Sequence, residues 1–388
     1  MAYFFVPSLE LGVHKARRAV NVREDTKRPA PVAVPASQDF DGNDGPWSSF
    51  TVQVGTPPQD VKVLISTASY QTLVVVPEGC TSSDPPNCAS SRGGEFVSSL
   101  SSTWRVNNIT TNGTFSLELE GNLGYSGNGD YGFDTVGMSW QGSGTPSLEQ
   151  QIVGQIATKE FYLGIFGLDP RPTNFTNFND PVPSYMATLK ERNIIPSISW
   201  GYTAGNQYRL DTALGSLTLG GYDPSRFIQN NVTFSFNEIN ARELTVNIND
   251  IFINTYHDDG SPTKSTRTIA ALIDSTVPYI YLPLDVCEMF EDTLGIEWDD
   301  EVQAYLVNDT LHSTLQAQNS TVTFSLGDPS TARIVNISLP YSAFDLTATY
   351  PLVTNRSRYF PLMRATNESQ YTLGRTFLQE AYVTHHIH

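Results

Sequence analysis

One short pattern occurs twice in this chain. In the first half an apolar run ends in small polar residues, Leu64-Ile65-Ser66-Thr67-Ala68, and in the second half another does so at Leu272-Ile273-Asp274-Ser275-Thr276. Each is followed by a glycine inside a second apolar stretch, Ile165-Phe166-Gly167 and Thr372-Leu373-Gly374. From Ser66 to Gly167 the step is 101 residues, and from Asp274 to Gly374 it is 100. A duplicated unit keeps the spacing of its landmarks, so the repeat implies two lobes on one plan. Their joint is expected near residues 222–235, with a first β lobe at 46–228 and a second at 229–380.

Strand patterns fill both lobes. Residues 50–54 and 61–65 alternate on either side of Gly55-Thr56-Pro57-Pro58, which reads as a hairpin. Residues 114–119, 244–248 and 321–326 alternate in the same way. With 28 Gly and 24 Pro breaking the chain at short intervals, long helices have little room. Short helices are expected at 183–192 and from Pro283 to a stop at Gly295. A mainly β body with a few short helices follows, and 388 residues suffice for a sizeable core.

The two ends read differently. Residues 1–45 hold the dibasic pairs Arg17-Arg18 and Lys27-Arg28, a Pro/Ala-rich stretch and an acidic segment at 39–44. This composition predicts a disordered leader or propeptide-like extension. Residues 381–388, ending in His385-His386-Ile387-His388, are expected to be an aberrant or truncated tail.

Charge and motifs narrow the function. Forty acidic against 23 basic residues give a net charge of −17, with no basic run to track a phosphate backbone. Nucleic acid is thereby excluded as a partner. No apolar stretch approaches the roughly 20 residues that span a bilayer, so no transmembrane segment is expected. The apolar run at 2–7 is too short for a signal-peptide core. Nine glycosylation sequons nonetheless begin at Asn108, Asn112, Asn174, Asn231, Asn308, Asn319, Asn336, Asn355 and Asn367. They favour export, and so does the pair Cys80 and Cys88, which fits a local disulfide across a loop rich in Ser, Asp and Pro. Cys287 is left over. His14, His257 and His312 lack ligand spacing, so neither metal nor cofactor is expected. The glycines Gly127, Gly129 and Gly132 match a dinucleotide fingerprint without the helix it needs, and read as a Gly-rich hairpin.

Several segments then agree, in order, with one family. They are Val54-Gly55-Thr56-Pro57-Pro58-Gln59, the run 63–69, and Gly132-Phe133-Asp134-Thr135-Val136. They continue through residues 163–168, 215–223 and 271–282 to Leu373-Gly374-Arg375-Thr376-Phe377-Leu378. Over residues 47–380 the chain resembles the pepsin-like aspartic proteases, in their fungal form. The resemblance implies a bilobal fold in which each lobe gives one Asp to a dyad on the floor of a cleft. Two carboxyls in contact share one proton, so one can take a proton from water while the other gives one to the peptide carbonyl.

Here Asp274 stands at the second position, and Ser66 stands where the resemblance implies the first Asp. Ala68 and Thr276 replace glycines of the two turns, whereas Thr67 and Ser275 keep the hydroxyls that tie the turns together. Gly167 and Gly374 match the glycine partners of the two active strands. A flap is expected over residues 119–132. Counting back from Asp134 places Asn122 at the residue that closes over the cleft, and Tyr125 takes that place if the loop length differs. Loss of general acid–base chemistry typically costs about 10²–10⁴-fold in rate. The expected protein is a secreted or cell-surface, glycosylated monomer, inactive or impaired as a protease, with a peptide or protein ligand in its cleft. The rival expectations are an active acid endopeptidase with a degenerate dyad, and a structural protein of the cell surface or wall.

Overall fold

In the computed structural model, residues 2–5, 28–107, 113–117, 119–175, 181–230, 232–239, 242–255, 263–265, 267–328 and 333–386 are described. The first lobe is built outward from the strand Phe50–Val54, which buries Phe50, Val52 and Val54 and leaves Thr51 and Gln53 half-exposed. That two-residue alternation is what a strand with one face on the core requires. It pairs antiparallel with Gln59–Ser66 across the expected turn, Phe50 opposite Val63 and Val54 opposite Gln59. Gly164–Gly167 runs parallel to the outer side of Gln59–Ser66, with Gly167 opposite Ser66, and antiparallel to Thr72–Val75.

The second lobe repeats this order. Thr245–Asn254 pairs antiparallel with Ile269–Ile273, Val246 opposite Ala271. Thr372–Leu373 lies parallel to Ile269–Ile273, with Leu373 opposite Ile273, and antiparallel to Ile280–Pro283. Each lobe thus feeds its polar turn out of a central strand, with the glycine strand alongside. Among the described residues each of these sheets has eight strands.

A third sheet draws on both halves of the chain. Its order is Ala2–Phe5, Tyr382–His386, Ser199–Asn206, Ala213–Leu219 and Val32–Val34. Trp200 lies opposite His385 and Tyr202 opposite Val383. One core cluster, containing Phe50, Ile65, Phe166, Trp200, Ile273 and Leu373, is continuous across the lobes.

Both chain ends depart from the sequence expectation. Within 1–45, expected as a disordered leader, Val32–Val34 pairs with Leu217–Leu219 and buries Val34. Ser37 and Asp39 exchange backbone bonds with Ser49, and Asp39 and Asp41 form ion pairs with Lys62 at 2.8 and 3.2 Å. The acidic run that suggested disorder is thus partly neutralised by Lys62, on the strand Gln59–Ser66. Within 381–388, expected as an aberrant tail, Tyr382, Val383, Thr384 and His385 are buried in the central sheet. The His385 ring stacks between Trp200 at 5.3 Å and Phe236 at 4.7 Å, behaving as a core aromatic.

The helices expected at 183–192 and after Pro283 form as Tyr185–Glu191 and Leu284–Leu294. Ser184 caps the first, and Gly295, at φ 69°, ends the second. A further helix, Asp309–Gln318, has Leu315 as its one fully buried residue, so no apolar stripe announced it. Cys80 and Cys88 are joined, S–S 2.02 Å, and Cys287 is a buried free thiol. Among the described residues, no helix is long and apolar enough to cross a membrane.

Candidate active site at the lobe junction

The two polar turns meet back to back. Thr67 N–H donates to Ser275 Oγ at 3.0 Å, and Ser275 N–H donates to Thr67 Oγ1 at 3.0 Å. Each hydroxyl then donates to the strand of the opposite lobe, Thr67 Oγ1 to Ile273 O at 3.1 Å and Ser275 Oγ to Ile65 O at 2.7 Å. Four bonds among fully buried groups, related by the lobe pseudosymmetry, fix the turns relative to each other. Gly167 and Gly374 pack directly behind. A Cβ on Gly167 would stand 2.4 Å from Ser69 O, and one on Gly374 would stand 2.3 Å from Tyr279 O. Both positions therefore admit no side chain.

On the cleft side the pseudosymmetry breaks. Ser66 Oγ accepts from the N–H groups of Ala68 and Ser69 at 3.3 and 2.7 Å, and shares a 2.7 Å bond with Thr276 Oγ1. Asp274 Oδ1 accepts from Thr276 N–H at 2.8 Å, while Oδ2 is buried without a donor. Ser66 and Asp274 are both 0% exposed. Burial pushes the Asp274 carboxyl up, opposed by hydrogen bonding from Thr276 and by the charge of Arg375. The two residues that replace glycine thus have different parts. Thr276 fills space beside Ser66 with a hydroxyl, and Ala68 presents its carbonyl to Arg171 Nη2 at 3.1 Å.

Arg375 braces the second turn from beneath. Its Nη1 donates to Ser275 O at 3.1 Å and Thr276 O at 2.6 Å, and its Nη2 to Asp44 Oδ2 at 2.7 Å. Asp44 also accepts from Trp47 Nε1 at 2.6 Å, and the guanidinium lies 5.0 Å above the Trp47 ring. Part of the segment expected as a leader therefore helps to build the site.

The flap is a hairpin of Thr114–Ser116 and Asn128–Asp130 with a single tight turn at Gly121–Leu123. Asn122 does not cover Asp274. Its side chain donates across the cleft to Ser369 O at 2.8 Å, and its carbonyl accepts from Gln370 Nε2 at 2.7 Å. Tyr125 stacks on Phe161 at 5.4 Å, forming a side wall. The flap residue whose carboxyl responds to the charge of Asp274 is Glu120. Enclosure, and then the charge of Asp274, push the Glu120 carboxyl well above the usual range. Sequence reasoning missed this residue. Leu117 and Leu119 alternate inward, so Glu120 should point outward, but its backbone is left-handed (φ 52°, ψ 31°) and turns it in. The acidic residue beside Gly121 was the available signal.

The cavity beside Tyr125, Thr276 and Arg375 measures about 30 Å³, room for about one water. A larger cavity, about 740 Å³, is lined by Arg28, Pro31, Trp200, Tyr222, Phe227 and His386, among others, and contains none of the expected site residues. Among the described residues no group of acidic, His and Cys side chains forms a metal site.

Residues 49–388 match the family model described as eukaryotic aspartyl protease. Secreted aspartic protease 8 of Candida albicans is 24% identical over 351 residues, covering 89% of this chain and 74% of that protein. Aspartic proteinase 3 of Saccharomyces cerevisiae is 24% identical over 310 residues, covering 76% of this chain and 49% of that protein. The crystal structure of aspartic proteinase from Irpex lacteus shares the fold, with a TM-score of 0.56 at 15% identity over 92% of this chain and 97% of that one.

Proposed function

The chain belongs to the eukaryotic aspartyl protease family, and from that premise we propose that it is a proteolytically silent member, holding a peptide or protein in its cleft without cutting it. The observation that carries this reading is the bond from Ser66 Oγ to Thr276 Oγ1. Where the dyad mechanism needs a second carboxyl on the floor, two hydroxyls satisfy one another. A serine hydroxyl does not titrate in the useful range, so it cannot exchange a proton with Asp274 in place of a carboxyl. The turn scaffold is intact around this pair, which leaves the cleft shape in place and removes its chemistry.

Export supports the same picture. The Candida relative is named as secreted. Asn174, Asn308, Asn319, Asn336, Asn355 and Asn367 are all exposed, as sugar attachment requires. Asn108, Asn112 and Asn231 lie outside the described residues. We read the protein as secreted or cell-surface, glycosylated and monomeric.

A second reading has one observation in its favour. Burial, and then the charge of Asp274, raise the Glu120 carboxyl well above the usual range, so on this reading Glu120 is the second acid of the pair, on the flap and not on the floor. The test is hydrolysis of denatured haemoglobin at acidic pH. The silent reading expects no cleavage and a raised melting temperature with the peptide inhibitor pepstatin. Pepstatin-sensitive cleavage that disappears in both Asp274→Asn and Glu120→Gln would instead establish the relocated pair as a catalyst.

A further inference from the structure

The tip of the flap is bonded to a turn of the other lobe. Asn122 donates Nδ2 to Ser369 O at 2.8 Å, and its carbonyl accepts from Gln370 Nε2 at 2.7 Å. The receiving turn, Glu368–Gln370, is braced for both bonds. Asn367 Oδ1 accepts from Ser369 N–H at 3.0 Å and from Ser369 Oγ at 2.6 Å. Gln370 Oε1 accepts from Thr366 N–H and Oγ1 at 2.7 and 3.0 Å, which turns Nε2 toward the flap. Arg242 donates to the carbonyls of Ser369 and Tyr371. Thr366, Asn367 and Arg242 thus hold one carbonyl and one amide in place, and the flap takes both.

A second set of bonds joins the lobes through the disulfide loop and the segment before Trp47. Tyr350 Oη donates to Asp84 Oδ1 at 2.8 Å, and Lys159 Nζ donates to the same oxygen at 2.6 Å. Thr349 N–H donates to Asn43 O at 2.8 Å, and Tyr359 Oη to Asp44 O. Here apolar packing backs the polar bonds. Tyr359 and Leu346 of the second lobe are buried in one cluster with Trp47, Leu64 and Phe161 of the first. The two connections therefore differ in strength. Parting the second exposes buried aromatic surface, whereas parting the flap tip frees two hydrogen bonds made by Asn122 and Ser369, which water already reaches, and by half-buried Gln370.

We propose that the flap tip is an autoinhibitory strap, bonded across the cleft through Asn122, and that a peptide reaches the floor only by displacing it. The proposal rests on the reading of the cleft as a peptide site. Of the two connections the strap is the one that yields, so the peptide enters past Ser369 and Gln370 while the lobes stay joined at Tyr350 and Tyr359. Closed molecules do not bind, and the apparent affinity is lowered by the fraction of molecules whose strap is made. At the usual net worth of a protein hydrogen bond, each of the two bonds changes that affinity about two- to tenfold.

Pepstatin binding tests the strap, with affinity read by calorimetry and association rate by stopped flow. Asn122→Ala removes the bond to Ser369. Gln370→Glu keeps the oxygen held by Thr366 and withdraws the donor from the Asn122 carbonyl, since at about pH 7 the introduced carboxyl is ionised. Each variant is expected to bind about two- to tenfold more tightly than the wild type and to associate faster, and the double variant should exceed both. Tyr350→Phe loses its bond to Asp84 on the edge that stays joined, and should bind like the wild type. A double variant that binds no more tightly than the wild type overturns the strap. An equal gain in Tyr350→Phe overturns it as well, because the lobes would then be parting at the other edge. If no form binds pepstatin, the peptide-cleft reading fails, and hydrogen exchange decides the strap separately. Asn122→Ala should speed exchange in Glu368–Gln370, and Gln370→Glu should speed it in Gly121–Leu123, each a segment without the substitution. Exchange left unchanged in both unsubstituted segments would sink the strap in that case too.

Discussion

Ser66 differs from Asp274 by more than a missing carboxyl. Its Oγ already takes two backbone N–H donors, from Ala68 and Ser69, so an aspartate there would meet donors like the one Thr276 gives Asp274. On the proposed silent reading, what stands against catalysis is also the Thr276 hydroxyl bonded to Ser66 and the flap carboxyl of Glu120. Ser66→Asp alone is therefore expected to stay inert. Combined with Ala68→Gly, Thr276→Gly and Glu120→Ala, it should gain pepstatin-sensitive haemoglobin cleavage, by up to the ~10²–10⁴-fold that acid–base catalysis supplies. If the combined variant is also inert, the lesion is not confined to the residues named. At this scale the family resemblance named Ser66, Thr67, Asp274 and Ser275 and passed over Glu120. Ser66, Thr67, Asp274 and Ser275 follow apolar runs, where strand period dictates which way each side chain leaves the turn. Glu120 obeys no period, because a single left-handed residue reverses the direction its neighbours predict.

Among the elements, the two glycine strands are what the repeat of 101 and 100 residues detects. Each threads past the loop that follows the active turn, and carbonyl groups crowd it there. At Gly374 a Cβ would approach Tyr279 O at 2.3 Å and Val277 O at 2.5 Å, and neither backbone group can swing aside as a long side chain could. Gly374→Ala and Gly167→Ala are expected to destabilise by about 1–3 kcal/mol or more, read as lower urea midpoints at an unchanged slope. Gly121→Ala, whose Cβ would meet nothing within 4 Å, should leave the midpoint nearly unmoved. A Gly374→Ala protein as stable as wild type would mean that this strand can shift. The elements that sequence reading misassigned are those whose order depends on distant partners. Val32–Val34 and Tyr382–His386 are short and set in tracts rich in proline or histidine, and only pairing with Ala213–Leu219 and Ser199–Asn206 makes them strands.

For the whole molecule, charge and burial act in the same direction. The chain carries −17 near neutrality, so every further ionisation adds self-repulsion. Three carboxyls are raised by enclosure: Asp274, Glu120, and Asp169, which burial lifts against the pull of Arg171. Each binds its proton more tightly in the folded chain than in the unfolded one. The stability it contributes is therefore complete below the ordinary carboxyl range, and is lost as the pH climbs through the raised folded values. Asp84 runs the other way, its carboxyl held low by Lys159, Thr81 and Tyr350, so its contribution is present above the ordinary value and lost on acidification. Three groups outweigh one across the interval from about pH 4.5 to about pH 8, where Asp84 stays ionised throughout. Thermal unfolding over that interval should show a melting temperature that falls by several degrees as the pH rises. The paired change Glu120→Gln with Asp274→Asn should flatten the slope, since it removes two of the three titrations. A melting temperature that climbs to neutrality would mean that the buried carboxyls are already ionised at the acid end, with the cations Arg242, Arg375 and Arg171 prevailing over desolvation.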